Sequence, residues 1–126
     1  MRRLAAWSVA VVFLLVACGG GASGGAGAGG NAAVKPGARE IKVNARSYAF
    51  APESFTVQAG EDIAVVLHSR DQTHDFAIEG KGVVVTVDGG KTAKGGFRLA
   101  KPGTYTFSCS ISGHRAAGME GTITAT

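Results

Sequence analysis

The stretch YTFSCSISGHRAAGMEGTITAT, residues 105–126, has the pattern of two strands joined by a loop. In its first five residues, Tyr105, Phe107 and Cys109 alternate with Thr and Ser, so a strand carries all three on one face. The closing GTITA alternates in the same way. The pattern predicts an apolar strand face that ends at Cys109, then a loop, then a second strand.

The same alternation recurs throughout residues 40–126, cut by turn sequences such as QAGED, EGKG, DGGK and AKPG. Short runs of this kind predict an all-β fold, an antiparallel Greek-key sandwich or barrel of about 7–8 strands. The predicted strands are Ile41–Ala45, Phe55–Gln58, Ile63–His68, Asp75–Ile78, Val83–Val87, Gly96–Leu99, Thr104–Cys109 and Gly121–Ala125. The large residues expected in the core are Phe50, Phe55, Phe76, Phe97, Tyr105 and Phe107.

The charge distribution argues against a nucleic-acid partner. The chain has 126 residues and a formal net charge of +4, but Arg2, Arg3, Lys35 and Arg39 precede the patterned region. From Glu40 onward, nine Lys and Arg residues balance nine Asp and Glu residues. A nucleic-acid-binding domain needs a basic face to neutralise phosphates. We therefore expect one folded domain that binds no nucleic acid.

The first residues resemble an export signal. Arg2 and Arg3 precede an apolar run of 14 residues, which has the length of a signal-peptide core and is short for a membrane span. The run ends in LVAC, which resembles the bacterial lipobox, so residues 1–17 are predicted to be removed and Cys18 to be lipidated. The lipid would hold the exported protein on the extracytoplasmic side of a membrane, at the cell surface or in the periplasm. Simple secretion with cleavage near Ala17 is the alternative.

Residues 18–39 are rich in Gly and Ala and are predicted to be a flexible linker, followed by a domain at residues 40–126. With Cys18 lipidated, Cys109 is the one remaining thiol, and no internal disulfide can form. An unpaired thiol in an oxidising compartment needs protection or a ligand.

Three side chains of scarce types share one loop. The chain has two Cys, three His and two Met, yet Cys109, His114 and Met119 follow one another at intervals of five residues. Any one of them alone would be explained by packing or by surface exposure. Together with a second His they form the His2Cys set with a weak axial Met that is typical of blue-copper centres, whereas a thioether is a poor zinc ligand. The loop therefore predicts one mononuclear copper site.

Two histidines compete to complete this set. By alternation His68 lies on the strand face opposite Val65 and Leu67, which are expected to point inward. His74 opens HDFAI at a boundary between a loop and a strand, where it can reach the end of the sandwich that carries Cys109. His74 is the preferred ligand, and His68 is the alternative.

These features resemble the cupredoxins, and most closely those of the auracyanin and rusticyanin types. The resemblance rests on the C-x4-H-x4-M loop, on the upstream H-x-F, and on FAPESFTVQAGEDIAVVLHSRDQTHDFAIEG, and it covers nearly all of residues 40–126. It implies that the copper ligands are His74, Cys109, His114 and Met119. Two positions depart from the family pattern: Ser112 stands where relatives often have Pro, and Asp75 where they often have Asn.

The resemblance also implies how the site works. The backbone N–H groups of Asp75 and Ile111 would donate to the Cys109 thiolate and so tune the reduction potential. The implied function is a monomeric, non-enzymatic shuttle of single electrons between exported or membrane redox partners. Those partners would dock near His114, where Ala116 and Ala117 give a small, flat surface. The alternative is a copper carrier or reservoir that delivers copper to another exported protein.

Overall fold

The alternating runs form nine β-strands in the computed structural model, which describes residues 30–126. The predicted signal peptide and Cys18 lie outside these residues. The strands are β1 (Arg39–Arg46), β2 (Ala49–Ala51), β3 (Ser54–Val57), β4 (Asp62–Ser69), β5 (His74–Ile78), β6 (Gly82–Val87), β7 (Thr92–Arg98), β8 (Gly103–Ser108) and β9 (Glu120–Ala125). Between residues 30 and 126 there is no helix of the length and apolarity that crossing a membrane requires.

The strands form two sheets. A four-stranded sheet has the order β2-β1-β4-β7, and a five-stranded sheet has the order β3-β9-β8-β5-β6. The all-β sandwich predicted from the sequence is confirmed. Pairing is not antiparallel throughout, however, because β1 runs parallel to β4 and β3 runs parallel to β9. The three-residue β2 was not predicted, since so short a run shows no alternation.

An aromatic cluster fills the space between the sheets. Phe76 lies at its centre, with its ring centroid 4.5 Å from that of Phe107 and 5.9 Å from that of Phe50. All three side chains are almost fully buried, whereas Phe55 is only partly buried. Aromatic pairs of this kind contribute about 0.5–1.5 kcal/mol each beyond their burial. The cluster therefore stabilises the frame that carries the functional loop.

The end of the predicted linker lies against the folded domain. Ala32 donates its backbone N–H to Val84 of β6 (2.8 Å) and accepts that of Gly96 of β7 (3.0 Å). The side chain of Asn31 accepts the N–H of Thr86 (2.8 Å). Because β6 and β7 are edge strands of different sheets, this segment joins the two sheets along one side.

Strands β5 and β8 pair over a short length and then separate. Their ladder contains two residue pairs, Ala77 with Ser108 and Ile78 with Phe107. Toward the start of β5 and the end of β8 the two chains diverge. The separation leaves room at this end of the sandwich, which we call the loop end, for side chains to enter between the sheets.

We expect Gly121→Ala to destabilise the protein by roughly 1–3 kcal/mol, the range for overpacking a core. A Cβ at this position in β9 would collide with the carbonyl oxygen of Glu53 and with the ring of Phe107. Urea unfolding measures the change. Thr124→Ala, on the exposed face of the same strand, is the control and should change the free energy of unfolding by less than about 0.5 kcal/mol. Equal stability of Gly121→Ala and the wild type would contradict the packing described here.

Candidate metal centre

The loop between β8 and β9 is closed by its own backbone. The N–H of Cys109 donates to the carbonyl of Met119 (3.1 Å), and the N–H of Met119 donates to the carbonyl of His114 (3.1 Å). The N–H of His114 in turn donates to the carbonyl of Ile111 (3.0 Å). These bonds bring three residues that are separate in the sequence to one point.

Two glycines make this closure possible. Gly113 and Gly118 have φ angles of 83° and 100°, in the left-handed region that side chains with a Cβ rarely adopt. Each precedes a predicted ligand, His114 or Met119. The backbone reversals therefore occur immediately before the side chains that turn inward.

Three donor atoms meet at the loop end. The Nδ1 atoms of His74 and His114 are 3.3 Å apart, and the Sγ of Cys109 lies 4.0 Å from the first and 3.4 Å from the second. His74 and Cys109 are fully buried, and His114 is 8% exposed. The structure thus brings together the three predicted donors that can bind a metal as an imidazole or a thiolate.

Met119 lies on the same loop as two of the donors. Its side chain is fully buried and belongs to the same core cluster as Cys109. Its backbone is hydrogen-bonded to Cys109 and to His114, so the thioether is carried by the same closed loop as those two donors.

His68, the alternative ligand, lies elsewhere. It is part of β4 in the four-stranded sheet, and its Nδ1 is 2.9 Å from the hydroxyl of Thr92 on β7. The side chain follows the alternation of β4, on the face opposite the buried Leu67. It is not among the residues whose donor atoms lie together at the loop end.

The thiol of Cys109 receives backbone hydrogen bonds. The N–H of Asp75 lies 3.5 Å from Sγ, and the backbone N–H of Ile111 also acts on the pKa of the thiol. Burial raises the pKa of the Cys109 thiol above its ordinary value, and the two N–H groups act in the opposite direction by favouring the thiolate. The two donors are the ones that the sequence analysis named.

The carboxylate of Asp75 braces the loop. It accepts the backbone N–H of Ser110 (2.6 Å) and also the hydroxyl of Ser110. The residue is 5% exposed, so its charge lies close to Cys109 and away from water. Asp75 of β5 therefore contacts the sulfur of Cys109 through its backbone N–H. Through its side chain it contacts Ser110, the loop residue after Cys109.

Two contacts to the histidines were missed by the sequence analysis. Asp71 places Oδ1 2.7 Å from Nε2 of His74, and the ring of Tyr48 meets that of His114 edge-on at 5.2 Å. The backbone N–H of Ser47, together with the bond to His74, holds the pKa of the Asp71 carboxyl well below its ordinary value. Only the three-residue spacing of Asp71 and His74 could have indicated the first contact, and nothing local indicated the second.

The donor set fits copper. Two nitrogens at about 2.0–2.1 Å and one sulfur at about 2.3 Å from a shared metal, spaced evenly around it, would lie about 3.5–3.8 Å from one another. The observed separations of 3.3–4.0 Å bracket that range. Two imidazoles, one thiolate and a weak thioether are the ligand types of blue-copper sites.

Comparison with known proteins agrees with this geometry. Residues 8–125 match the family described as Cupredoxin-like domain, and the chain belongs to that family. It is 30% identical over 78 residues to Auracyanin-B of Chloroflexus aurantiacus, a match that covers 56% of this chain and 33% of the relative. The match thus spans about a third of the length of that curated relative.

The solved structures that share the fold include those of two auracyanins. The structure of auracyanin B superposes with a TM-score of 0.66 at 20% identity and covers 78% of this chain and 96% of its own. Auracyanin A, described as a blue copper protein from Chloroflexus aurantiacus, gives a TM-score of 0.62 at 18% identity and covers 71% of this chain and 100% of its own. Both structures support the β-sandwich described above.

We expect Asp75→Asn to raise the reduction potential of the copper-loaded protein. The substitution removes a buried negative charge beside Cys109, and that charge favours the more positive Cu(II) state. Voltammetry on both proteins measures the change. Ser110→Ala, which removes only the hydroxyl that donates to this carboxylate, is the control and should move the potential less. A potential that falls or stays constant in Asp75→Asn would mean that the carboxylate only braces the loop.

Proposed function

We propose that this protein is a small blue-copper electron-transfer protein with one mononuclear copper site. Its copper ligands would be His74, Cys109, His114 and Met119. The observation that carries the proposal is the buried triangle of two Nδ1 atoms and one Sγ atom, with edges of 3.3–4.0 Å. Two of its corners, Cys109 and His114, lie on the loop that also carries the buried side chain of Met119. Membership of the cupredoxin-like family supports it.

Bound copper would supply a one-electron couple between Cu(I) and Cu(II). The chain supplies a frame that barely needs to change between the two states. Its donors are fixed by a backbone-closed loop, by β5 and by the aromatic core, and the thiolate is held by the N–H groups of Asp75 and Ile111. Preorganised dipoles of this kind keep reorganisation small when an electron arrives or leaves.

The proposed role is not enzymatic. A copper oxidase or nitrite reductase needs further metal ligands, and the chain's one other histidine, His68, is bonded to Thr92 away from the donor group. A binuclear copper centre would need a second Cys in the loop, and residues 110–113 contain none. One mononuclear site therefore suits electron transfer rather than substrate turnover.

Redox partner proteins would dock over His114. This ligand is 8% exposed, while the others in the donor group are fully buried, so its ring is the shortest route from the surface to the metal. Around it lie the exposed Ala116 and Ala117 and the ring of Tyr48, which is 47% exposed. Small, weak interfaces are typical of electron carriers, so we expect the protein to act as a monomer that contacts its partners transiently through these residues.

The visible spectrum tests the proposed centre. The full chain loaded with Cu(II) should develop an intense thiolate-to-copper charge-transfer band. His74→Ala should abolish nearly all of that band because it removes one donor of the triangle. His68→Ala is the matched control and should keep the band, since His68 lies outside the donor group. A colourless wild-type protein, or loss of colour in His68→Ala alone, would reject the site as proposed.

Voltammetry of the same samples separates the two functions that the ligand set allows. A fast, reversible one-electron couple supports the electron shuttle. A sluggish or irreversible couple, together with copper transfer to an apo-cupredoxin acceptor, would instead support a copper carrier.

We also propose that the chain is exported and anchored through Cys18, after removal of residues 1–17. The part of the predicted linker 18–39 that precedes Asn31 would be the tether, since Asn31 and Ala32 are bonded to the domain. The apolar leader that ends in LVAC supports this proposal. In a bacterial host, the wild-type protein should fractionate with membranes and carry a lipid, whereas Cys18→Ser should lack the lipid and keep residues 1–17 uncleaved. Cys109→Ser, which leaves the leader intact, is the control and should remain membrane-bound. A lipid on Cys18→Ser, or cleavage of its leader as in the wild type, would contradict the lipid anchor.

A further inference from the structure

The carboxylate of Asp71 forms the one side-chain contact to Nε2 of His74 among the described residues. The two atoms are 2.7 Å apart, and the His74 ring is fully buried, whereas the Asp71 side chain is 40% exposed. The other ring nitrogen, Nδ1, faces His114 and Cys109. The imidazole therefore has its carboxylate partner on one side and the metal centre on the other.

The position of Asp71 is fixed from two directions. Its Oδ2 accepts the backbone N–H of Ser47 (2.7 Å), and its Oδ1 accepts that of Gln72 (2.8 Å). Gln72 in turn donates its side-chain amide to the hydroxyl of Ser47. This carboxylate thus joins three segments of the chain, which are the β1–β2 turn, the β4–β5 loop and the start of β5.

The same turn contacts the second histidine. Ser47 binds Asp71 through its backbone, and the next residue, Tyr48, packs its ring edge-on against His114. The β1–β2 turn therefore supports one proposed ligand through Asp71 and the other directly.

We propose that Asp71 is a positioning residue of the metal centre, which accepts the Nε2–H of His74 and so aims the lone pair of Nδ1 at the copper. An ionised carboxylate can only accept hydrogen bonds, so it selects the tautomer with hydrogen on Nε2. Carboxylates that bind metal-ligating histidines in this way orient the ring and raise its basicity. A more basic imidazole and a nearby negative charge both favour Cu(II), so Asp71 lowers the reduction potential.

The first test uses the full chain without metal. Long-range ¹H–¹⁵N NMR should show His74 as a single tautomer, protonated at Nε2 and bare at Nδ1. Asp71→Ala should give a mixture of both tautomers. Asp88→Ala removes another exposed carboxylate, whose bond is to Thr73 rather than to a histidine, and should leave the tautomer unchanged. A single Nε2–H tautomer in Asp71→Ala would overturn the positioning role.

The second test uses the copper-loaded full chain and rests on the proposed function. Asp71→Asn keeps the shape and one acceptor oxygen but removes the charge, and it should weaken Cu(II) binding by about 10–100-fold. If the affinity for Cu(II) falls tenfold more than the affinity for Cu(I), the reduction potential rises by about 59 mV. This is the shift that a tenfold change in an equilibrium constant gives for a one-electron couple. Asp88→Asn is the matched control and should shift the potential far less.

The two tests keep this inference separate from the function proposed above. If the wild-type protein binds Cu(II) without the intense band, the proposed function fails, whereas the tautomer measurement still decides the role of Asp71. If the band is present and Asp71→Asn has the same Cu(II) affinity and potential as Asp88→Asn, the inference fails and the function stands. If Asp71→Ala does not fold, the Asp71→Asn comparison decides.

Discussion

The metal centre depends on the separation of β5 from β8 and on the residue that bridges them. Their ladder stops after two residue pairs, and beyond it Asp75 replaces the missing backbone bonds. Its N–H reaches Cys109 and its carboxylate holds Ser110. Without this bridge the space between the two strands would have to be filled by water or by other side chains. With it, the strands remain connected and the donor atoms occupy the opening.

The rest of the site is arranged around that opening. The loop from Cys109 to Met119 closes on itself through backbone bonds, which leaves its side chains free to point inward. The carboxylate of Asp71 contacts Nε2 of His74, the ring nitrogen that faces away from the other donors. The β1–β2 turn, which binds Asp71, also carries Tyr48, whose ring packs against that of His114. A donor set assembled by hydrogen bonds within the chain needs little rearrangement when a metal or an electron arrives. This property is what a carrier of single electrons requires.

Features that depend on neighbouring residues were predicted from the sequence, whereas features that depend on contacts between distant segments were not. Eight of the nine strands were predicted to within a few residues, because the pleat of a strand imposes its period of two on the local sequence. The short β2 and the two parallel pairings were not, because neither leaves a local pattern. The docking of Asn31 and Ala32 was missed for a related reason: a Gly- and Ala-rich segment gives no sign of which edge strands it joins.

The sequence by itself determined the types of the proposed ligands and the loop that carries three of them, because Cys109, His114 and Met119 lie within 11 consecutive residues. The choice of His74 rested on the alternation of β4 and on a family resemblance. Only the tertiary structure placed His74 beside His114, 40 positions away, and gave it the carboxylate of Asp71. Spacing along a loop is limited by bond geometry and can be read locally. A contact between distant segments is decided by how two sheets pack, and no local pattern encodes that packing.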